Sequence, residues 1–292
     1  MTAGIFISIV IPTFARPDRI ARCLNCVNPL RLPGLDTEII VTDDSPDTSS
    51  REMLARDFPQ VQWTTGPRGG PAANRNHGAS LAKGEWIAFL DDDVEASPGW
   101  LAALASATAG TDVVEGKTVC PDKQDHPFEE HVENLTGGNL WSCNMAVRRE
   151  VFERIGGFDA DFLEAGGEDM EFAWRIQRDG LKTRFSPGML AIHPPRRIGW
   201  RGLWRRTLMI RWMALYRLKT GIQTSIVLDM TLDLLRTTLH LFTRFDSSCW
   251  RTRLFQQAWK WLTFPFVVPY LVVWQYRFRR HLKKSYLQGN SV

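Results

Sequence analysis

Three consecutive carboxylates, Asp91 to Asp93, follow the apolar run Trp86 to Leu90. This run is short and bulky and comes after Lys83-Gly84, a pattern typical of a buried strand. Open α/β sheets bind ligands where their strands end, so the triplet predicts a charged site at that edge. Adjacent carboxylates repel one another unless a cation or hydrogen-bond donors share the charge. The triplet alone therefore fits either a site for Mg²⁺ or Mn²⁺, which favour carboxylate oxygens, or a solvated acidic turn.

Charge divides the chain into two parts. Residues 1–200 hold 20 Lys and Arg against 29 Asp and Glu, whereas residues 201–292 hold 16 against 3, and the overall charge is +4. Seven of the twelve Trp lie from Trp200 onward. A length of 292 residues allows one α/β domain with an appendage or two domains. We predict an acidic α/β domain over residues 1–197 and a basic helical region over residues 198–292.

The cysteines and the amino-terminal residues indicate the cellular compartment of the protein. The five Cys have no framework spacing, and Cys23 and Cys26 form a lone pair within a helix-like stretch, which favours reduced thiols. No basic segment or long apolar core precedes Pro12, so we predict no signal peptide and a cytoplasmic location.

Strand-like and helix-like segments alternate along the first part at the spacing of βαβ units, which predicts a mainly parallel sheet with helices around it. No Gly-x-Gly-x-x-Gly follows the first strand, so the usual dinucleotide fingerprint is absent. Ser97 is predicted to cap a helix with Pro98 in its first position, and the polar segment 121–138 is predicted as a loop with room for a short helix. The predicted strands are 5–11, 38–42, 61–63, 86–90, 112–119, 142–147 and 182–185, and the predicted helices are 16–28, 48–58, 72–83, 149–155 and 166–178.

Glu168 and Asp169 open one of these helices directly after Gly166-Gly167. Two acids in a first helical turn suit the helix dipole, which is a purely structural explanation. Flanking glycines also let the backbone approach a ligand closely, so a functional role stays open at this point.

Five stretches in one order carry a family pattern. The chain resembles glycosyltransferase family two, which has the GT-A fold, over residues 5–195. This resemblance implies an inverting transfer of a sugar from a nucleoside diphosphate sugar to an acceptor hydroxyl. The matching stretches are Ser8 to Phe14, Ile39 to Ser45, Ala73 to Ala79, Ile87 to Asp93, and Gly156 to Asp159 with Gly167 to Asp169.

The resemblance also implies roles for individual residues. Asp169 matches the general base, with Glu168 beside it, and Asp93 matches the metal-binding acid for Mn²⁺ or Mg²⁺. His193 is placed like a late metal ligand of some relatives, although a loop histidine explains it equally well. The positions that match the nucleotide-sugar site are Pro12, Thr13, Arg16, Asp43 or Asp44, Arg75, Asp91 and Asp92.

Simple chemistry agrees with these roles. A diphosphate leaving group gains negative charge as its bond to the sugar breaks, and a metal at Asp93 would stabilise that charge. Inversion requires one in-line displacement, so one base must remove the acceptor proton.

Trp141 and Asn144 either border the pocket or, for Trp141, pack in the core, and His77 is interpreted as a packed or surface histidine.

The basic tail has its own pattern. Leu228, Leu232, Leu235, Leu239 and Phe242 fall at helical spacing and form one apolar stripe. The uncharged run 261–274 contains two prolines and is too short to span a bilayer. Apolar faces, Trp and clustered cations favour a segment that lies on an anionic membrane. A helical subdomain packed on the sheet or in a dimer is the alternative, and nucleic acid is disfavoured because the front part is acidic.

The sequence therefore predicts a metal-dependent inverting glycosyltransferase that uses a nucleotide sugar, with a UDP-sugar favoured by the family. Its acceptor would be a glycan or a lipid-linked glycan in cell-surface polysaccharide or glycolipid synthesis, at the inner face of the plasma membrane. The alternatives are a non-catalytic nucleotide-sugar-binding partner or regulator and, ranked lower, a nucleotidyltransferase. A full Gln-x-x-Arg-Trp motif is absent, which favours the addition of one or few sugars, and homo-oligomers stay possible.

Overall fold

The structure is a computed structural model, and it describes residues 5–30, 32–123, 126, 128–222, 226–243 and 250–289. The chain divides into two compact units. Unit 1 comprises Met1–Asp122 with His131–Pro195, and unit 2 comprises Lys123–Glu130 with Arg196–Val292. Residues 123–130, which precede the predicted boundary at 197, thus group with the second unit, and the functional division into two domains stays a prediction.

Unit 1 contains one eight-stranded sheet of order β3-β2-β1-β4-β8-β6-β9-β5. Neighbours β3-β2, β2-β1, β1-β4 and β6-β9 are parallel, whereas β8 runs antiparallel to both β4 and β6, and β5 runs antiparallel to β9. The predicted mainly parallel sheet is confirmed. The strands are β1 (Phe6–Thr13), β2 (Asp36–Asp43), β3 (Gln62–Thr65), β4 (Trp86–Leu90), β5 (Glu95–Ala96), β6 (Val113–Val119), β7 (Glu129–Glu130, in unit 2), β8 (Asn144–Arg148) and β9 (Thr183–Ile192).

Helices cover both faces of this sheet, as the alternation of buried side chains requires. On β1, Ile9 and Ile11 pack with Ile20 and Leu24 of one core cluster, whereas Val10 packs in the opposite cluster. Each such fully buried aliphatic side chain stabilises the fold by about 1.5–3 kcal/mol. The helices are α1 (Pro17–Val27), α2 (Ser49–Asp57), α3 (Pro71–Ser80), α4 (Trp100–Ala107), α5 (Arg149–Arg154) and α6 (Glu168–Arg178).

Three local predictions need correction. Ser97 does not cap a helix, because α4 begins at Trp100 after Gly99, and the Trp100 amide donates to the Ser97 carbonyl in a preceding turn. The described part of segment 121–138 contains β7 and no helix. The last predicted strand, 182–185, continues to Ile192. The pairing register between β9 and β6 shifts at Gly116/Lys117 of β6, and β9 pairs with β6 again beyond that shift.

Unit 2 is mainly helical. A short antiparallel pair joins β7 to β10 (Arg196–Arg197). Its helices are α7 (Trp200–Leu208), α8 (Ile210–Thr220), α9 (Ile226–Thr243) and α10 (Trp250–Gly289). Ala214 of α8, Ile226 of α9, and Val267 and Leu271 of α10 form a small buried cluster. Among the described residues, every helix is too short or too polar to cross a bilayer.

Candidate active site

The middle acid of the triplet holds two strand ends together. Parallel pairing of Val10 with Phe89 sets the register that brings Thr13, at the end of β1, opposite Asp92 beyond β4. The Thr13 hydroxyl donates to Oδ2 of Asp92 at 2.7 Å, and Nη1 of Arg16 donates to Oδ1 at 3.2 Å. Burial raises the pKa of Asp92, while Arg16 and Thr13 act in the opposite direction. Both oxygens of Asp92 are therefore engaged inside the protein.

The outer two acids meet His193. One ligand atom from each of Asp91, Asp93 and His193 lies within 4.8 Å of the other two. His193 follows β9, and its amide donates to the Val119 carbonyl at 2.8 Å. Its Nδ1 lies 3.0 Å from the Pro194 carbonyl, an acceptor, so the ring hydrogen belongs on Nδ1 and the lone pair on Nε2.

These three residues fit a divalent cation. His193 Nε2 is buried without a hydrogen-bond partner and lies 3.6 Å from Oδ1 of Asp93. A buried polar atom without a partner is costly unless a ligand meets it. The two carboxylates suit Mn²⁺ or Mg²⁺, and an imidazole nitrogen as the third ligand favours Mn²⁺ over the harder Mg²⁺. The arrangement joins Asp91, which was predicted for the nucleotide, to the two residues predicted for the metal.

Arg19 is a neighbour of this cluster that the sequence interpretation missed. Its Nη1 donates to Oδ2 of Asp93 at 2.6 Å from the first turn of α1. Arg16 and Arg19 lie three positions apart at the start of α1, and this spacing was the available signal that both contact the triplet. Asp93 thus has one oxygen on a guanidinium and the other facing His193.

Arg75 connects the triplet to the start of α6. It lies on α3, is 5% exposed, and donates to Oδ1 of Asp91 at 2.8 Å and to Oε1 of Glu168 at 3.4 Å. Burial alone lowers the pKa of this guanidinium, but the carboxylates of Asp91, Asp169 and Glu168 outweigh burial and raise it. Arg75 stays charged and neutralises acids from two separate elements.

Asp169 stands at the start of α6 in a turn that only glycine builds without strain. Gly166 and Gly167 have φ of 132° and 142°. The Gly166 amide donates to Oε2 of Glu168 at 2.7 Å, which fixes that side chain. Oδ1 of Asp169 is buried without a hydrogen-bond partner. Burial, and next the charge of Glu168, raise the pKa of Asp169 to about 7, while Arg75 lowers it.

A comparison with family models decides the class of the protein. The model described as glycosyl transferase family 2 matches residues 8–156. The chain belongs to glycosyl transferase family 2. A second model, described as the N-terminal domain of galactosyltransferase, matches residues 127–195. The two matches together extend from β1 to the end of unit 1.

Curated family relatives have varied names. Glycosyltransferase AglE of Haloferax volcanii is 26% identical over 211 residues, which are 66% of this chain and 68% of that protein. Validoxylamine A glucosyltransferase of Streptomyces hygroscopicus is 26% identical over 65% of this chain and 51% of that protein. Chondroitin synthase of Escherichia coli is 27% identical over 65% of this chain and 35% of that protein. The chain thus spans about half or less of the length of the last two.

Solved structures agree on the GT-A fold. The mannosyltransferase PcManGT from Pyrobaculum calidifontis, in complex with GDP-Man and Mn²⁺, gives a TM-score of 0.54 at 18% identity over 94% of this chain and 74% of that one. GalNAc-T7 with UDP, GalNAc and Mn²⁺ gives 0.55 at 17% identity over 74% of this chain and 50% of that one. These likenesses confirm the fold expected for the family.

Other residues predicted for the nucleotide in this family member lie at the ends of β1 and β2. Pro12 is partly exposed beside buried Thr13. Oδ1 of Asp43 accepts hydrogen bonds from the amide and hydroxyl of Ser45, whereas its Oδ2 is buried without a partner. Oδ1 of Asp44 accepts from the Arg68 amide at 2.8 Å, and burial raises the pKa of Asp44. Oδ2 of Asp43 can therefore still accept a hydrogen bond.

The contacts of Asn144, Trp141 and His77 lie within the protein. Asn144 is buried, donates to the carbonyls of Lys117 and Met189, and accepts from Trp100 Nε1 at 2.8 Å. Trp141 packs against the core cluster of unit 1. His77 Nε2 lies 3.2 Å from the Thr64 hydroxyl. Hydrogen bonds thus hold Asn144 and His77, and core residues surround Trp141, while a place of Trp141 or Asn144 at the border of the pocket stays a prediction.

Proposed function

We propose that this chain transfers a sugar from a nucleoside diphosphate sugar to an acceptor hydroxyl with inversion at the sugar carbon. The observation that carries the proposal is the connection of two sites through Arg75. This buried cation contacts Asp91 of the acidic cluster and Glu168, the neighbour of Asp169. An acidic cluster that suits a metal and a carboxylate that suits a base are therefore held at a fixed separation.

Asp91, Asp93 and His193 would hold Mn²⁺ or Mg²⁺. When bound, the ion supplies charge stabilisation for the departing diphosphate without proton transfer. The chain's own contribution is orientation. The Pro194 carbonyl fixes the His193 ring, and Arg19 fixes Oδ2 of Asp93, so their remaining ligand atoms face each other. Outer contacts of this kind are what usually hold metal ligands in place.

Asp169 is the proposed general base. Its pKa of about 7 means that the carboxylate form is available near neutral pH and is still basic enough to take a hydroxyl proton. Its buried Oδ1 lacks a hydrogen-bond donor, so an acceptor hydroxyl can supply one. Glu168 keeps Asp169 basic through its charge and is itself fixed by Gly166 and Arg75.

The nucleotide site is proposed at the ends of β1 and β2. Asp43 offers its unpaired Oδ2 to a base N–H, and Asp44, Pro12 and Thr13 border the same strand ends. We propose a UDP-sugar as donor. The acceptor is proposed to be a glycan or lipid-linked glycan, because relatives carry names such as chondroitin synthase and poly(ribitol-phosphate) β-glucosyltransferase.

The test measures donor binding and turnover together. Thermal unfolding is recorded with UDP-, GDP- and dTDP-sugars, each with and without Mn²⁺, followed by nucleotide release in the presence of candidate acceptors. A donor at 100 times its Kd stabilises the fold by about 2.7 kcal/mol. We expect a Mn²⁺-dependent shift with a UDP-sugar that disappears in Asp93→Ala and persists in Asp57→Ala, a change of an exposed acid on α2.

Three outcomes contradict parts of this proposal. A shift of equal size without Mn²⁺ contradicts the metal site. A thermal shift with GDP-sugars alone contradicts the proposed UDP-sugar donor but not the proposed reaction. Donor binding without turnover against a broad acceptor panel, in the presence of lipid vesicles, favours the non-catalytic nucleotide-sugar-binding alternative.

A further inference from the structure

Helix α10 carries a long apolar face that contacts solvent. Between Trp261 and Tyr276, every exposed residue is apolar or aromatic. Phe266 and Leu262 are each 65% exposed and Tyr276 is 68% exposed. At 1.5 Å per residue, this face is roughly 22 Å long. Its members are Trp261, Leu262, Pro265, Phe266, Pro269, Val272, Val273 and Tyr276.

The packing of unit 2 uses the opposite side of the same helix. Thr263, Val267, Leu271 and Phe278 are buried, and they follow the same three-to-four residue spacing as the exposed set. The exposed side chains of Leu262, Phe266 and Tyr276 are therefore not what holds unit 2 together. An uninterrupted apolar surface of this length is unusual on a monomer and indicates an interaction site.

The charges on α10 have one sign. Residues 250–289 contain no Asp or Glu. Directly after Tyr276, the exposed residues Arg277, Arg279, Arg280 and Lys283 follow on the last turns whose side chains are described. An apolar face that ends in a group of cations matches a surface that is apolar inside and anionic outside.

We propose that this face of α10 lies in the interface of an anionic lipid bilayer, parallel to its plane. Trp261 and Tyr276 bound the face, and both residue types favour the boundary between headgroups and acyl chains. A second copy of α10 fits less well, because residues 250–289 contain no Asp or Glu and would offer these cations no carboxylate partner. A spanning orientation is disfavoured because α10 is not apolar enough along its length.

α9 adds a second exposed apolar set to unit 2. Leu228, Leu232 and Leu235 are 56%, 41% and 51% exposed and lie at helical spacing, as the sequence stripe predicts. Leu239 and Phe242 of that stripe lie outside the described side chains. α9 packs with α10, where Trp261 Nε1 donates to the Thr238 hydroxyl at 3.0 Å. Unit 2 thus has apolar groups for insertion on two adjoining helices.

The test is vesicle binding by the full chain, without donor or metal, so it is independent of sugar transfer. Binding is measured by flotation and by the Trp emission shift, with phosphatidylcholine vesicles that contain either none or about one third phosphatidylglycerol. Leu262→Glu with Phe266→Glu should weaken binding to anionic vesicles at least about 100-fold, because two buried side chains contribute roughly tenfold or more each. Arg279→Gln with Arg280→Gln should weaken it about 25-fold, at roughly fivefold per cation.

Matched controls separate the face from general effects of charge. Gln256→Glu adds an acid at an exposed polar position of α10 outside the apolar run and should leave binding within about twofold of the parent. The fold of each variant is checked by circular dichroism and thermal unfolding. Equal binding to neutral and anionic vesicles, or unchanged binding by Leu262→Glu with Phe266→Glu, overturns the proposal. A dimer in solution that this double change converts to monomers, with no vesicle binding by the parent, assigns the face to a second copy instead.

Discussion

The acidic cluster of unit 1 and the apolar face of α10 are both arrangements that folding alone disfavours. Next to this cluster, Asp92, Glu168 and Arg75 are buried charges, which are costly unless each is paired. On α10, Phe266 and Leu262 expose large apolar groups to water. Each region would gain free energy from the ligand that we propose for it, a cation with a diphosphate in one case and lipid in the other. Buried charges at the edge of a sheet and exposed apolar side chains on a helix therefore indicate two different kinds of ligand.

The two regions should respond differently to substitution. A change in the acidic cluster removes a partner from a buried charge and affects folding as well as chemistry. A change on the exposed face of α10 removes contacts that exist only in the bound state. Measurements of stability and activity on the same variants therefore test the comparison directly.

The largest effect is expected for Asp169→Asn. The amide is nearly isosteric but cannot accept the hydroxyl proton, so kcat should fall by about 10²–10⁴-fold. Donor binding, measured by the thermal shift with Mn²⁺, should persist because Asp169 is not among the proposed metal or nucleotide ligands. Transfer at the parental rate by a folded, donor-binding Asp169→Asn protein would falsify the base assignment.

A smaller but still large effect is expected for Arg75→Met. Removal of the cation leaves the buried Glu168 and the partly buried Asp91 without their guanidinium partner, so the free energy of unfolding should fall by about 3–5 kcal/mol. Arg75→Lys should recover part of this loss, because a lysine keeps the charge but lacks the planar guanidinium that donates to both carboxylates. Denaturant unfolding provides the measurement.

The α10 variant is the stability control for Arg75→Met. Leu262→Glu with Phe266→Glu should change the free energy of unfolding by no more than about 1 kcal/mol, since both side chains are mostly exposed. A destabilisation similar to that of Arg75→Met would mean that the face is part of a core, and the comparison between the two regions would fail.

Local sequence pattern predicted the elements that carry the triplet. Apolar runs located β1, β2 and β4, and the polar residues after each run located Thr13, Asp43 and Asp91 at one edge of the sheet. This succeeds because a buried parallel strand needs continuous apolar residues and ends where polar ones begin. The order of the five motifs added the family and thereby the fold, which the family model confirms.

Local sequence pattern did not predict the contacts between segments that are distant in the chain. The position of His193 beside Asp93 depends on β9 regaining its pairing with β6 after the irregularity at Gly116/Lys117, and short-range pattern does not encode such a shift. The contact of Arg75 with Glu168 joins residues 93 positions apart. The failed cap at Ser97 has a local cause, because the chain makes one more turn before α4 begins at Trp100. The residue roles within the site stay predictions until they are measured.

pH dependence also separates the two regions, because it should arise in unit 1 through Asp169. Its folded pKa of about 7 lies above the ordinary value of about 3.9 for Asp. The carboxylate is the active form, so kcat should rise about tenfold per pH unit below 7 and level off above it. The folded state also holds this proton longer than the unfolded chain, so the Asp169 contribution makes unfolding easier as pH rises from about 4 to 7. Asp169→Asn should remove both trends together, whereas a kcat that is flat between pH 5 and 8 in the parent, at saturating donor and Mn²⁺, contradicts a base with this pKa.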